Sequence, residues 1–316
     1  MVYTSLDRHL SEPILAAWED RTGVRLRAVY DVEASKTVGL ANRIIAERER
    51  PRADVFWNSE VIHTIRLQRE GLLAVLPDRL LRLRAPGQRS KQGDWIGFAG
   101  RLRVLIVNHD LAKTTPSRLD DFTDPRWRRL AAFANPEFGT TGAHFSALFL
   151  LWGKDRFQAW VRAMKRNEVL MLPGNAQVRD YVARGGLAFG LTDSDDANAA
   201  IESGKSVRMV LPDQGAGRQG TLLIPNTLSI LAGAPNPDAA AEFLEYLLSA
   251  AVEERLAAAP GAQIPLGSTA AHPPNLPSLD TITLMSVDFE AVADAYADML
   301  TAFRDAWSDD AAAGHP

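Results

Sequence analysis

The sequence contains no cysteine among its 316 residues. This absence excludes disulfides, thiolate metal sites and cysteine nucleophiles. No apolar run approaches the roughly 18 residues that a membrane-spanning helix needs. The charges nearly balance, with a net charge of −4, so the chain lacks the basic face that nucleic-acid recognition requires.

Recognisable catalytic motifs are also missing. There is no Gly-x-Ser-x-Gly elbow, no His-Glu-x-x-His, and no Gly-x-Gly-x-x-Gly after a strand. The six histidines are scattered, and no two of them have a metal-ligand spacing. Glu60 with His144 is the one acid–base pair we can propose, and it keeps an enzyme of phosphate or sugar metabolism as an alternative. We expect that the protein is not an enzyme.

What the sequence does contain is an alternation of strands and helices. Hydrophobic residues make up 46% of the chain, and its length suits two lobes of ordinary size. Within the first sixty residues, the pattern predicts strands at 2–4, 24–30 and 53–57. It predicts helices between them, at 10–22 and 37–50. This order predicts an α/β fold with mixed, mostly parallel sheets.

The division into lobes follows from an apolar, strand-like segment at 102–107, which could carry the chain into a second lobe. We predict a discontinuous N-terminal lobe formed by 1–101 and 226–280. The C-terminal lobe is then formed by 102–225 and 281–316.

Ligands of open parallel sheets bind beyond the carboxyl ends of the strands, beside helix N-termini. Three loops in such places are polar. In the first, 31–37, Ser35 and Thr37 could cap the following helix, and the free N–H groups there, with Lys36, suit an anion. The plainer interpretation is an ordinary helix cap beside a solvated lysine.

The second loop, 135–144, is glycine-rich and carries Thr140 and Thr141 before an apolar helix. Backbone N–H groups and hydroxyls in such a loop can hold a phosphate or a carboxylate. The loop lacks the lysine of a nucleotide-binding P-loop, so ATP chemistry is not expected. A simple capped turn is the alternative.

The third loop follows the apolar strand 187–191 and contains Asp193, Asp195 and Asp196. Three carboxylates within four residues repel one another, and a hard cation would relieve that repulsion. Acids at a helix N-terminus are also common and mildly stabilising, and this alternative explains one or two of the three.

Several short segments, spread over most of the chain, match a known family in their order and spacing: 2–7, 22–24, 53–58, 97–101, 125–127, 173–178, 224–227 and 263–266. By these segments the chain resembles the periplasmic ferric-iron-binding proteins, which are solute-binding components of ABC importers. The resemblance implies two α/β lobes joined by crossing strands that act as a hinge. It also implies a permease and an ATPase as partners, a monomer, and a periplasmic or lipid-anchored location. No signal peptide precedes Val2, and we expect it to have been removed.

Many members of that family hold ferric iron through a histidine, a glutamate and two adjacent tyrosines, with phosphate or carbonate completing the shell. Here the matching positions carry Asp7, a glutamate displaced by about one residue at Glu60, and Asp195-Asp196. Phenolate gives ferric sites their strength, and this chain has no tyrosine pair. The segment Thr141-Gly142-Ala143 and Asn175 match the positions that hold the anion.

Two ligand models follow. In the first, a ferric or divalent cation is bound by Asp7, Glu60, Asp193, Asp195 and Asp196. In the second, an oxyanion or a phosphorylated or carboxylated solute is bound by Ser35, Lys36, Thr37, Thr140, Thr141 and Arg179. The first is preferred because acids outnumber bases at the predicted cleft. A receptor sensor domain is an alternative to the importer role.

Overall fold

The computed structural model of the chain describes residues 1–31, 38–267, 269–273 and 275–308. It consists of two compact units. Unit 1 comprises Met1–Arg101 and Ile224–Leu276, and unit 2 comprises Leu102–Leu223 and Pro277–Pro316. None of the helices in the described ranges is long and apolar enough to cross a membrane.

Unit 1 alternates strands and helices along its first hundred residues. Its strands are β1 (Val2–Thr4), β2 (Ala28–Tyr30), β3 (Val55–Asn58), the first half of β4 (Ile96–Asn108) and β9 (Leu223–Ile230). Its helices are α1 (Arg8–Thr22), α2 (Val38–Ala46), α3 (Ile62–Arg69), α4 (Asp78–Leu81), α9 (Pro237–Leu247) and α10 (Ala250–Ala258).

The sheet of unit 1 is mixed. Strand β1 pairs in parallel with both β2 and β3, so that Tyr3 is opposite Val29 on one side and Phe56 on the other. Strand β9 pairs with β3 in the antiparallel direction. Helix α1 buries Ile14 and Trp18, which are one turn apart, and the Trp18 ring meets Phe243 of α9 edge-on at 5.5 Å.

A buried ion pair joins separate parts of unit 1. Arg84 Nη2 lies 3.0 Å from Glu253 Oε2, and both side chains are almost fully buried. Glu253 also accepts hydrogen bonds from the backbone N–H groups of Ala99, Leu266 and Gly267. Both carboxylate oxygens of Glu253 therefore accept hydrogen bonds, and its charge is paired with that of Arg84. A buried ion pair requires both conditions.

Unit 2 contains the second half of β4 and a further set of strands and helices. Its other strands are β5 (Ala131–Ala134), β6 (Leu170–Leu172), β7 (Phe189–Asp193) and β8 (Val207–Val210). Its helices are α5 (Gly139–Trp152), α6 (Lys154–Arg166), α7 (Asn175–Ala183), α8 (Ser194–Glu202) and α11 (Phe289–Ser308).

The sheet of unit 2 places three parallel strands side by side. Strand β5 pairs in parallel with β6 and with β7, whereas β4 runs antiparallel to β7 and β8. Aromatic rings form the core beneath it. Phe145 of α5 lies 5.4 Å from Phe133 of β5, 5.4 Å from Trp160 of α6 and 5.9 Å from Phe303 of α11, measured between ring centroids.

Two predicted elements differ from the observed ones in their bounds. The predicted strand 24–30 begins only at Ala28, because Leu26 N–H donates to the side chain of Glu19 on α1 and not to a neighbouring strand. The predicted helix 37–50 ends at Ala46, where the chain continues in tight turns such as Arg48 N–H to Ile45 O.

The buried pair gives a test of unit 1. We expect Glu253→Gln to lower the free energy of unfolding by about 3–5 kcal/mol, because Arg84 would be left buried without a charged partner. The control is Glu245→Gln, which removes a pair with Arg79 whose side chains are 55% and 53% exposed and should cost less than about 1 kcal/mol. Urea unfolding measures both. Equal, small losses in the two variants would contradict this account.

Candidate functional site

Three strand-to-helix turns of unit 2 open at the same edge of its sheet. Strands β5, β6 and β7 are parallel, and their carboxyl ends are followed by α5, α7 and α8, respectively. The helices begin at Gly139, Asn175 and Ser194. Their positively polarised N-terminal ends are therefore placed together.

A glycine brings one of these helices close to the sheet. A Cβ atom at Gly190 of β7 would lie 2.3 Å from Val178 Cγ1 of α7, so only glycine fits there without a shift. This close approach lets Thr192 donate its hydroxyl to the carbonyl of Asn175 at 3.2 Å. The start of α7 is thereby fixed beside the end of β7.

Arg103 lies at the centre of this arrangement. It is opposite Asp193 in the antiparallel pairing of β4 with β7, and its side chain is completely buried. Its Nη1 atom donates to Asp193 Oδ1 at 2.5 Å, to Thr140 Oγ1 at 2.9 Å and to Asn175 Oδ1 at 3.2 Å. Its Nη2 atom donates to Thr141 Oγ1 at 3.1 Å. One guanidinium group thus connects β4, β7, α5 and α7.

The second oxygen of Asp193 is also occupied. Thr140 donates its hydroxyl to Asp193 Oδ2 at 2.7 Å, and Asn175 donates its amide to the same oxygen at 3.0 Å. Asp193 precedes α8 at its N-cap position, but its side chain makes no cap hydrogen bond. The carboxylate is therefore directed to Arg103 and not to the helix behind it.

The other two acids of the loop are partly exposed. Asp196 accepts a hydrogen bond from Arg179 Nη1 at 3.1 Å and one from Thr192 at 3.2 Å. Burial works to lower the pKa of Arg179, but its bond to Asp180 and the charges of Asp196 and Asp195 outweigh it and raise that pKa. One carboxylate oxygen from each of Asp193, Asp195 and Asp196 lies within 4.8 Å of the others.

The charges of this site nearly cancel. Arg103 and Arg179 offset two of the three carboxylates. Each helix N-terminus contributes roughly half a positive charge, so the three helix ends offset about one and a half more. Exposed Asp180, the other partner of Arg179, is largely screened by solvent. The excess of acids counted in the sequence therefore overstates the negative potential of the site.

Hydrogen-bond donors remain for a ligand at the helix ends. The residues preceding α5 and α7, Phe138 and Gly174, provide no side-chain cap to the first turn. The first N–H groups of a helix have no partner inside the helix. The hydroxyl of Thr141 accepts from Arg103, and within the described residues it donates only over a long distance, 3.4 Å to Asn175 Oδ1. These groups suit the oxygens of a phosphate or a carboxylate.

The predicted anion-binding loop, 135–144, packs closely around Gly142. Gly142 and Ala143 lie in the first turns of α5 and are buried. A Cβ atom at Gly142 would lie 2.7 Å from Pro136 O and 2.9 Å from Tyr296 Cε2. A larger residue would push the start of α5 away from the loop that precedes it.

Two of the predicted metal ligands belong to unit 1. Glu60 is buried, and it accepts hydrogen bonds from the side chain of Asn58 and from the N–H groups of Ile62 and His63, which open α3. Its carboxylate therefore caps a helix. Asp7 precedes α1 and is partly exposed, and its backbone carbonyl accepts from Leu10 and Ser11.

The remaining predicted residues, Ser35, Lys36 and Thr37, lie outside the described residues. Arg103 was not among the predicted site residues. Its signal was present, since a charged residue interrupts the otherwise apolar stretch 102–107, and a charge within a buried strand needs a partner. The predicted site residues of unit 2 that Arg103 brings together are Thr140, Thr141, Asn175 and Asp193.

Known proteins resemble this chain both in sequence and in fold. The family model of the bacterial extracellular solute-binding proteins matches residues 1–259. Iron uptake protein A1 of Synechocystis sp. is 24% identical over 268 residues, which are 81% of this chain and 72% of that protein.

Two solved structures have the same fold. Iron-bound HitA from Pseudomonas aeruginosa superposes with a TM-score of 0.87 at 24% identity, covering 96% of this chain and 98% of that one. AfuA from Actinobacillus pleuropneumoniae, solved with exogenous fructose-6-phosphate, superposes with a TM-score of 0.85 at 22% identity, covering 98% of each chain. These similarities confirm the predicted fold class, an α/β fold of the two-lobed periplasmic-binding type.

His144 of α5 is buried, and neither of its ring nitrogens has a hydrogen-bond partner within the part of the chain that the structure describes. Burial, together with the nearby charge of Arg103, holds the pKa of His144 well below its ordinary value. The native side chain therefore stays neutral where the unfolded chain takes up a proton. Stability contributed in this way is present above the unfolded pKa and is lost as the pH falls below about 6.5.

We expect the free energy of unfolding to fall by up to about 1.4 kcal/mol per pH unit below pH 6.5 through His144 alone. His144→Leu should remove that part of the slope. Burial also lowers the pKa of His63, so the part of the slope that His63 contributes should remain. The control is exposed His9→Gln, which should leave the slope as it is. Urea unfolding at several pH values measures this. An unchanged slope in His144→Leu would sink the assignment.

Proposed function

Since the chain belongs to the bacterial extracellular solute-binding proteins, we propose that it binds a small anionic solute and delivers it to the permease and ATPase of an ABC importer. Members of this family are binding proteins that act outside the cytoplasm and are not enzymes. The resemblance drawn from the sequence and the prediction of a non-enzymatic role are thereby confirmed. The identity of the solute and of the importer belong to the proposal.

The fold does not select the solute. HitA was solved with iron and AfuA with fructose-6-phosphate, yet the two superpose on this chain with nearly equal TM-scores. The choice therefore depends on the residues of the site. In unit 2, the observation that carries the proposal is the convergence of three helix N-termini on buried Arg103.

That arrangement favours an oxyanion over a bare cation. The N–H groups of α5 and α7, the hydroxyl of Thr141 and the guanidinium of Arg179 are all donors, and donors bind phosphate or carboxylate oxygens. The partly exposed carboxylates of Asp195 and Asp196 then suit hydroxyl or ammonium groups on the same solute. We propose a phosphorylated or carboxylated organic molecule as the solute class.

Tyrosine chemistry does not favour ferric iron in unit 2. Its two tyrosines are engaged elsewhere: Tyr296 donates its hydroxyl to Glu137 O at 2.8 Å, and the ring of Tyr181 is covered by Arg184 at 3.9 Å. Neither tyrosine stands at position 195 or 196, where the iron-binding members of the family carry theirs.

A hard cation is the second candidate, and the three neighbouring carboxylates of Asp193, Asp195 and Asp196 favour it. This candidate retains ferric iron or a divalent ion as cargo, with phosphate or carbonate as a synergistic anion. It predicts that chelator-stripped protein melts at a higher temperature when a metal is added, and that alanine at both Asp195 and Asp196 abolishes the shift. Our proposal predicts no such shift with metal alone.

The wild-type protein provides the first test. We expect organic phosphates or polycarboxylates, screened at about 100 times their Kd, to stabilise it by about 2.7 kcal/mol, which is a readily measured melting shift. The panel should include inorganic phosphate, sugar phosphates and citrate, each with and without iron. Stabilisation by ferric or divalent ions alone, with none from any anion, would refute the anionic solute.

Arg179 provides the second test. Replacing it by glutamine removes a charged donor from the rim of the site, so we expect the affinity for the best anion of the panel to fall about tenfold, or about 1.4 kcal/mol. The matched control is Arg184→Gln, because Arg184 is an exposed arginine that directly follows α7 and covers the ring of Tyr181. Calorimetric titration measures both. Equal affinity of the Arg179 variant and wild type would exclude Arg179 from binding.

A further inference from the structure

Arg103 occupies the place of a cation among the acids of unit 2. Its guanidinium group is fully buried and lies against Asp193, whose carboxylate is close to those of Asp195 and Asp196. We propose that Arg103 sets the charge preference of this site: with Arg103 present the site accepts an anion, and without it the three aspartates accept a hard cation. This inference rests on the proposed function and names the residue that decides its solute class.

Both carboxylate oxygens of Asp193 already accept hydrogen bonds. Its Oδ1 atom accepts from Arg103, and its Oδ2 atom accepts from Thr140 and Asn175. A hard metal ion needs several oxygen ligands at about 2.0–2.6 Å. The Nη1 atom at 2.5 Å from Oδ1 stands where such an ion would approach, so the arginine and the metal exclude each other.

Asp193 and Asp196 have different counter-charges. Asp196 is paired with Arg179 at the partly exposed rim, whereas Asp193 has Arg103 as its buried partner. Removing Arg103 would therefore leave Asp193 with two neutral donors and no counter-charge. A buried carboxylate without a counter-charge is strongly unfavourable, and a cation bound between the three aspartates relieves it.

Arg103 also sets the geometry of the groups that would bind the anion. Its bonds to Thr140, Thr141 and Asn175 hold the first turns of α5 and α7 together. Its Nε atom is buried and has no partner among the described residues. A lysine would keep the charge but could not reach these acceptors as a planar fork does. Charge and geometry can therefore be separated by experiment.

The test compares three variants with wild type: Arg103→Gln, Arg103→Lys, and Arg103→Gln combined with Asp193→Asn. Calcium serves as the hard cation, and the best anion of the wild-type panel serves as the anion, both titrated by calorimetry after chelation. We expect Arg103→Gln to gain calcium affinity at least tenfold over wild type and to lose the anion. Arg103→Lys should weaken the anion at least tenfold without gaining calcium. The double variant should lose the calcium gain.

The proposal would be overturned if Arg103→Gln bound calcium no more tightly than the wild-type protein. It would also be overturned if the double variant, which carries Asp193→Asn as well, kept the gain in calcium affinity. If Arg103→Gln fails to fold in chelator, its recovery on refolding with calcium supports the proposal, and failure in both conditions contradicts it. The proposed function fails if the wild-type protein itself binds a metal ion in place of an anion. That result is separate from the behaviour of the Arg103 variants, so the proposed function and the role of Arg103 can be refuted independently.

Discussion

The ion pair between Arg103 and Asp193 is the constraint on which the arrangement of unit 2 depends. Neither group can be buried without its partner, because an unpaired buried charge costs several kcal/mol. Their pairing fixes the register of β4 against β7. The two terminal nitrogens of Arg103 and the second oxygen of Asp193 also need partners, and Thr140, Thr141 and Asn175 provide them. The helices that carry these residues are therefore held with their N-termini at one point.

Unit 1 also buries charged side chains, and it pairs them with other residues. Arg84 and Glu253 are buried together, and Glu253 takes three backbone N–H groups besides. Glu60 is buried as the cap of α3. In each case a charged side chain that sequence reasoning could assign to a ligand is used to join parts of the fold. Buried charge alone is therefore a weak indication of a ligand site in this protein.

The sequence predicted the parts of the fold that depend on local pattern. The alternation of apolar strands with helices predicted the α/β class, and the polar residues after 130–133 and 187–191 indicated the correct edge of the unit 2 sheet. Arg103 could not be assigned, because its partners depend on the register of two strands some 90 residues apart. The bounds of β2 depend on a contact as well, since Glu19 takes the N–H of Leu26. Residues 32–37 and their three predicted anion ligands lie beyond the described ranges.

We propose above all that the site in unit 2 carries an oxyanion-bearing organic solute. Mass spectrometry of small molecules released from protein purified without chelator, with metal analysis of the same sample, tests it most directly. The account predicts an organic phosphate or carboxylate in near-stoichiometric amount and no dependence of its retention on metal. Stoichiometric iron or another hard cation with no accompanying organic anion would contradict it.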